Sequence, residues 1–137
     1  MGFTTSFRMG QILRHHLSLP TPLEGEENYA YMVKQFIPAV KEVLASHGFE
    51  RSINGRDEGG TFLAGYRGGL YLIDSDFQVG TVENPYQAIG CGDDLVLGAF
   101  YALSFYEMTP EERITTALEA AAEFSAGVRG PFTVLSI

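Results

Sequence analysis

Hydrophobic and polar positions alternate along this chain in two periods, and the changes of period mark out its elements. Residues 6–17 place Met9, Ile12, Leu13 and Leu17 at helical spacing, with Arg8, Gln11 and Arg14 opposite. Leu19-Pro20-Thr21-Pro22 then makes a stiff connector. A second helix is predicted over about 27–47, with Tyr29, Met32, Phe36, Val40 and Leu44 in a broad apolar stripe. Pro38 falls inside it and predicts a kink or break near Phe36, because proline lacks a backbone donor and crowds the preceding turn. Gly48 supplies a stop. Residues 50–60 are polar and contain glycine, and read as an exposed loop.

Strand signals follow. Residues 61–66 and 70–74 flank Arg67-Gly68-Gly69 and predict a hairpin with a glycine turn. Residues 77–79 and 86–89 read as short strands, and 132–137 as a closing strand. A helix should start near Gly92 or Asp93, run to about Tyr106 and bury Leu95, Leu97, Ala99 and Leu103. The next start is the clearest in the chain. Thr109-Pro110-Glu111-Glu112 sets a capping hydroxyl, a proline at the first helical position and a glutamate three residues after the cap. Ile114, Ala117, Leu118, Ala121 and Ala122 form that helix's buried face.

This order resembles the proteasome β-subunit and HslV-type peptidase family in three places. Gly2-Phe3-Thr4-Thr5-Ser6 before an amphipathic helix is similar to the family's Gly-Phe-x-Gly segment. The 61–74 hairpin, followed by Tyr86-Gln87-Ala88-Ile89-Gly90-Cys91-Gly92 and an alanine-containing helix, looks like the family's strand and Ile-Gly-Ser-Gly turn. The Thr-x-Glu-Glu-capped helix and closing strand complete the pattern. The resemblance covers essentially residues 1–137 as one domain. It implies an α+β fold of the αββα sandwich type, the N-terminal-nucleophile hydrolase architecture, with the first two strands missing.

The resemblance also implies chemistry. The family's nucleophile is a threonine at the processed N-terminus, assisted by a nearby lysine and aspartate from the early strands. A hydroxyl whose base is its own α-amine must belong to the first residue of the mature chain. The resemblance begins downstream of that segment, which implies a chain shortened through a misplaced start at Met1 and inactive as written. The complete protein would be a threonine peptidase in a homo-oligomeric ring, with an ATPase unfoldase feeding it peptide or protein substrate. A non-catalytic assembly protein on the same scaffold is the alternative.

Few residues here could replace the missing group. Cys91 occupies the place of the family's supporting serine, and a helix start beside it would favour a thiolate. Asp93 and Asp94 oppose that, so a turn cysteine standing in for serine is the plainer reading, and a Cys91-dependent hydrolase the sharper one. Cutting after Phe3 would expose Thr4, but Thr4 and Thr5 align with a core strand. Gly60-Thr61 and Gly80-Thr81 have a self-cleaving form and read as strand starts. Gly90-Cys91-Gly92-Asp93-Asp94 lacks a phosphate loop's third glycine and puts carboxylates where an anion would sit. Asp74 and Asp76 would share a strand face, where paired carboxylates most often are simply solvated. His15 and His16 diverge on a helix, and with His47 they make no zinc spacing. Residues 125–137 contain no carboxylate, where proteasome relatives often carry an aspartate near the threonine. No metal or cofactor is expected.

Composition narrows the partners. The net charge is −8 at pH 7 over 137 residues. Residues 1–73 hold seven acidic and seven basic side chains, while residues 74–137 hold ten acidic side chains against Arg113 and Arg129. Such a surface repels phosphate backbones, which disfavours nucleic acid. A single cysteine excludes an internal disulfide and suits a reducing compartment. Without a long apolar run or secretory leader, the sequence reads as soluble and cytosolic, with no membrane role.

Overall fold

A computed structural model describes residues 1–49, 51–53 and 56–136. It is mixed α+β and divides into two compact units, Met1–Pro85 and Tyr86–Ile137.

The first unit is built on an antiparallel sheet of β1 (Gly2–Phe3), β4 (Phe62–Tyr66), β5 (Gly69–Ile73) and β6 (Val79–Thr81), in that spatial order. The β4–β5 hairpin forms as the sequence predicts, with Leu63 opposite Leu72 and Gly65 opposite Leu70. Its two-residue turn, Arg67-Gly68, has φ of 45° and 79°, the left-handed pair that lets a tight hairpin follow the strand twist. One sheet face carries Phe62, Ala64, Tyr71, Ile73 and Val79, all buried. These pack with Met9, Ile12 and Leu13 of α1 (Phe7–His16) and with Val40 and Leu44 of α3 (Ile37–Ser46) in one core. The opposite face carries Leu63, Leu70 and Leu72, each partly buried and outside that core.

The helix predicted over 27–47 forms without a break. α2 (Asn28–Tyr31) runs into a π-helical turn, Met32–Phe36, and then α3. Ile37 N–H donates to the Met32 carbonyl five residues back, which widens the turn before Pro38. The extra residue removes the crowding that would have broken the helix. Residues 50–60 are also not all loop: β2 (Arg51–Ile53) pairs antiparallel with β3 (Arg56–Glu58), while Glu50, Asn54 and Gly55 lie outside the described residues.

The second unit is a helical pair. α4 (Asp93–Leu103) buries Val96 and Phe100 against Ala117 and Ala121 of α5 (Pro110–Phe124). The expected burial of Leu95, Leu97, Ala99 and Leu103 is displaced around the helix, and Leu95 is exposed. From Leu95 to Leu103 every position of α4 is apolar or glycine, so its composition does not select one face. α5 starts as predicted, in a full capping box: Thr109 Oγ1 accepts from Glu112 N–H at 3.2 Å, and a Glu112 carboxylate oxygen accepts from Thr109 N–H at 2.9 Å. Two expected strands are absent. Residues 86–89 have no ladder partner, and Tyr86 instead stacks on Phe100 with ring centroids 4.9 Å apart. Residues 131–136 follow a cis Gly130-Pro131 peptide in irregular backbone, and Ile137 lies outside the described residues.

Candidate functional site

The sequence's strongest candidate, Cys91, sits in a glycine turn at the start of α4. Gly90 has φ of 116°, a conformation that disfavours side chains, and Asp93 N–H closes the turn on the Gly90 carbonyl at 3.2 Å. Gly92 caps the helix without a side chain and is buried; a Cβ there would lie 2.5 Å from Val128 Cγ2 and 3.3 Å from Ala121 Cβ. Both glycines are thus required, one by backbone and the other by packing. Cys91 between them is exposed. The turn after α5 backs onto it: Ser125 Oγ donates to the Cys91 carbonyl at 3.3 Å, and Gly127 lies close against the Cys91 side chain.

That geometry fixes the backbone at Cys91 but activates nothing. Among the described residues no histidine, lysine or carboxylate hydrogen-bonds its sulfur. The carboxylates of Asp93 and Asp94 occupy the first turn of α4, where they offset the helix dipole. A nucleophile with an adjacent base is not assembled here.

Thr4 and Thr5 lie in the first unit, past the end of β1 rather than within a core strand. Thr4 N–H donates to the Thr61 carbonyl at 3.0 Å, so its nitrogen is engaged as a ladder amide. Thr5 has φ of 69°, unusual for a β-branched residue, and its Oγ1 donates to the Thr4 carbonyl at 2.6 Å. Ser6 then caps α1 by accepting from Met9 N–H at 3.3 Å. Phe3, Thr4, Thr5, Ser6 and Phe7 line a shallow cleft of about 270 Å³.

The remaining candidates resolve into structure. Asp74 and Asp76 stand in the turn between β5 and β6, not on one strand face, and an Asp76 carboxylate oxygen accepts from Gln78 N–H at 3.0 Å. Gly60 and Gly80 are packing positions: Gly60 N–H donates to Met9 Sδ at 3.1 Å, and Gly80 pairs with Leu72 in the β5–β6 ladder. The sequence reading missed one pair. His16, closing α1, and His47, capping α3, bring their rings to 4.0 Å between centroids, although 31 positions apart. The His16 pKa is lowered by desolvation and, secondarily, by the neighbouring charges of His47, His15 and Arg8. The two rings are tilted by 35° to one another, and among the described residues no three His, Cys, Asp or Glu side chains converge to hold a metal. A surface hollow of about 540 Å³ beside α5 is lined by Glu107, Met108, Glu111, Glu112, Thr115 and Thr116. Glu112 there is already engaged by Thr109, whose hydrogen bonds hold its pKa below the usual carboxylate range. Among the described residues no helix is long and apolar enough to cross a membrane.

No protein-family model matches the chain, and no curated protein does. Among solved structures, Thiobacillus denitrificans BPH is similar, with a TM-score of 0.72 and 20% sequence identity over 94% of this chain and 69% of that one. At that identity the likeness speaks for a shared fold.

Proposed function

We propose that this chain is the larger part of a proteasome-like, HslV-type peptidase subunit, an αββα hydrolase scaffold whose nucleophile is a threonine outside these 137 residues. One observation carries the reading. The β4–β5 hairpin is apolar on both faces, with Phe62, Ala64, Tyr71 and Ile73 under the helices and Leu63, Leu70 and Leu72 on the other side. A sheet with two apolar faces belongs between two layers, helices on one side and a second sheet on the other. Two local features agree with it. Thr5 takes the left-handed backbone where the family's Gly-Phe-x-Gly segment has its second glycine, and Gly90-Cys91-Gly92 opens α4 as Ile-Gly-Ser-Gly does in the family.

In this reading the threonine hydroxyl attacks the peptide carbonyl as its proton passes to the same residue's α-amine. The α-ammonium hands that proton to the departing amine as the peptide C–N bond breaks, and water then hydrolyses the ester, releasing the acid and restoring the hydroxyl. Cys91 stands in the turn that supports that amine in the family. The subunit works in a homo-oligomeric ring, supplied with peptide or unfolded protein by an ATPase. The test is an intact-mass measurement on protein from its natural source, joined to a peptide-hydrolysis assay. A mature chain with an N-terminal threonine, inactivated when that threonine becomes alanine, is expected. Hydrolysis by the 137-residue chain that survives both Thr4→Ala and Cys91→Ala would overturn the reading.

A second reading, a non-catalytic assembly protein on the same scaffold, is favoured by the edge at β1. β1 is an edge strand of its sheet, and its own Phe3 and the following Phe7 are 42% and 86% exposed. An edge of this kind invites a covering strand from a partner. A mature chain that begins at Met1 and hydrolyses nothing would favour it.

A further inference from the structure

We infer that His16 and His47 form a two-histidine site for a divalent transition-metal ion, pinning the end of α1 to the end of α3. The two residues stand far apart in the chain, and the fold brings their ring centroids to 4.0 Å. The His47 ring is set as metal-bound imidazoles are. Its Nδ1 lies 2.8 Å from the Val43 carbonyl oxygen, which can only accept, so Nδ1 carries the proton and donates it. Ser46 Oγ, 3.0 Å away, stands as a second acceptor for the same proton. In the neutral ring that leaves the lone pair on Nε2, and a backbone carbonyl holding the other nitrogen is the usual support behind a metal-binding histidine. His16 is the movable partner: its side chain is exposed at the last position of α1, and among the described residues no hydrogen bond holds its ring.

The spacing suits one shared ion. With metal–nitrogen bonds of ~2.1 Å, two imidazoles on the same ion hold their ring centres roughly 4.5–5 Å apart. The rings here need only part by about 0.5–1 Å, and they meet at a tilt of 35° rather than face to face. His16 ends α1 and His47 is the C-terminal cap of α3, so the negative ends of two helix dipoles meet at the pair, where a cation is favoured. Arg8 and His15 act against that, since their charges reach His16. Among the described residues no third His, Cys, Asp or Glu joins the pair. Affinity therefore rests on imidazole donors and not on a carboxylate cage, which selects nickel, copper or zinc over magnesium or calcium. Two donors leave the other coordination positions to water, so the site is a labile fastening of two helices, not the closed four-ligand site of a structural zinc. The pair lies wholly within the first unit and owes nothing to the peptidase chemistry.

The test is isothermal titration of the untagged 137-residue chain with Ni²⁺, and then with Zn²⁺ and Mg²⁺, for wild type, His16→Gln, His47→Gln, His15→Gln and Cys91→Ser. Wild type should bind one Ni²⁺ per chain, exchange it for Zn²⁺ in competition, and melt at a higher temperature when saturated. Mg²⁺ should not displace Ni²⁺. His16→Gln and His47→Gln should each weaken Ni²⁺ binding by at least about tenfold, with an unchanged circular dichroism spectrum. His15→Gln and Cys91→Ser should bind as wild type does. In the wild-type chain, paramagnetic Ni²⁺ should broaden the imidazole proton signals of His16 and His47 before those of His15, a readout that needs no variant to fold. A wild-type chain that takes up no Ni²⁺ at millimolar concentration would overturn the inference, as would undiminished binding by His16→Gln or by His47→Gln. Competition by Mg²⁺ would mark diffuse attraction to the acidic surface and overturn it too. Loss of binding in Cys91→Ser or His15→Gln would place the ion elsewhere, with the same consequence.

Discussion

The ring of Phe3 lies against the backbone of Gly10, filling the space a side chain on that residue would take. This contact ties β1 to α1, and Gly10 is a buried helix-interior position with no other reason to lack a Cβ. Helix propensity alone would favour alanine there by about 1 kcal/mol. Overpacking against Phe3 should outweigh that gain, so Gly10→Ala is expected to cost about 1–3 kcal/mol in urea unfolding. In a Phe3→Ala background the same substitution should become neutral or stabilising. If Gly10→Ala stabilises both backgrounds equally, the ring does not sit where the structure puts it.

The α5 cap makes a separable prediction. Thr109→Ala removes the acceptor for Glu112 N–H and should destabilise by about 1 kcal/mol. The pH dependence follows from Glu112, whose folded pKa is lowered by the backbone and side-chain hydrogen bonds of Thr109. A depressed carboxylate pKa contributes stability that is present above the unfolded value and is lost as pH falls through the folded one. The difference in melting temperature between wild type and Thr109→Ala should therefore narrow below about pH 4. A constant difference down to acid pH would argue against the capping box.

Local codes such as this one were legible in the sequence, as were α1 and the β4–β5 hairpin, because turn residues and side-chain period act within a few positions. What could not be read was decided at longer range. Residues 86–89 and 131–136 have strand-like composition, but a strand exists only with a ladder partner, and Tyr86 found a ring on α4 instead. α4 is apolar all round, so the choice of Val96 and Phe100 as its buried face belongs to α5. Pro38 in the sequence predicts a kink or break, but the π-helical turn at Met32–Phe36 that carries the helix through leaves no mark in the pattern. At the candidate site, the place of Cys91 between two glycines was visible, whereas the packing of Gly127 on it was not.

That packing is testable. A Cβ at residue 127 would fall 2.6 Å from Cys91 Cβ and 3.2 Å from Sγ. Gly127→Ala should lower stability by about 1–3 kcal/mol through overpacking. Cys91→Ser, isosteric at an exposed position, should change stability by less than about 0.5 kcal/mol. Chemical denaturation of the two variants side by side checks both, and a neutral Gly127→Ala would break the proposed contact.

The hairpin turn predicts a gain. Arg67 occupies the first turn position at φ 45°, which asparagine or glycine adopts with less strain, while its guanidinium lies 5.3 Å from the Tyr66 ring centroid. The cation–π contact of an exposed pair is worth about 0.5–1 kcal/mol and opposes the change. Arg67→Asn should therefore stabilise only slightly, whereas a variant that removes the contact and keeps the strain, Arg67→Val, should be the least stable of the three by thermal melting. The order Asn, Arg, Val is the expected result, and Val melting above Arg would exclude a left-handed turn at this position.

His16 and His47 tie the ends of α1 and α3 in a way that acid should loosen. Desolvation, then the charges of His47, His15 and Arg8, hold the His16 pKa below its ordinary value of 6.5, so the folded chain favours the neutral ring. The unfolded chain then takes up a proton first as pH falls. Stability from this pair is complete above pH 6.5 and is lost progressively as pH drops from there toward the lowered folded value. The ring is solvent-exposed, so salt should weaken the part of the effect that comes from neighbouring charge. Melting temperatures measured between about pH 7.5 and 5 should fall more steeply for wild type than for His16→Gln, and the two curves should converge above neutrality. Parallel curves would mean that the rings do not meet in solution, and a steeper fall in the variant would reverse the sign of the coupling.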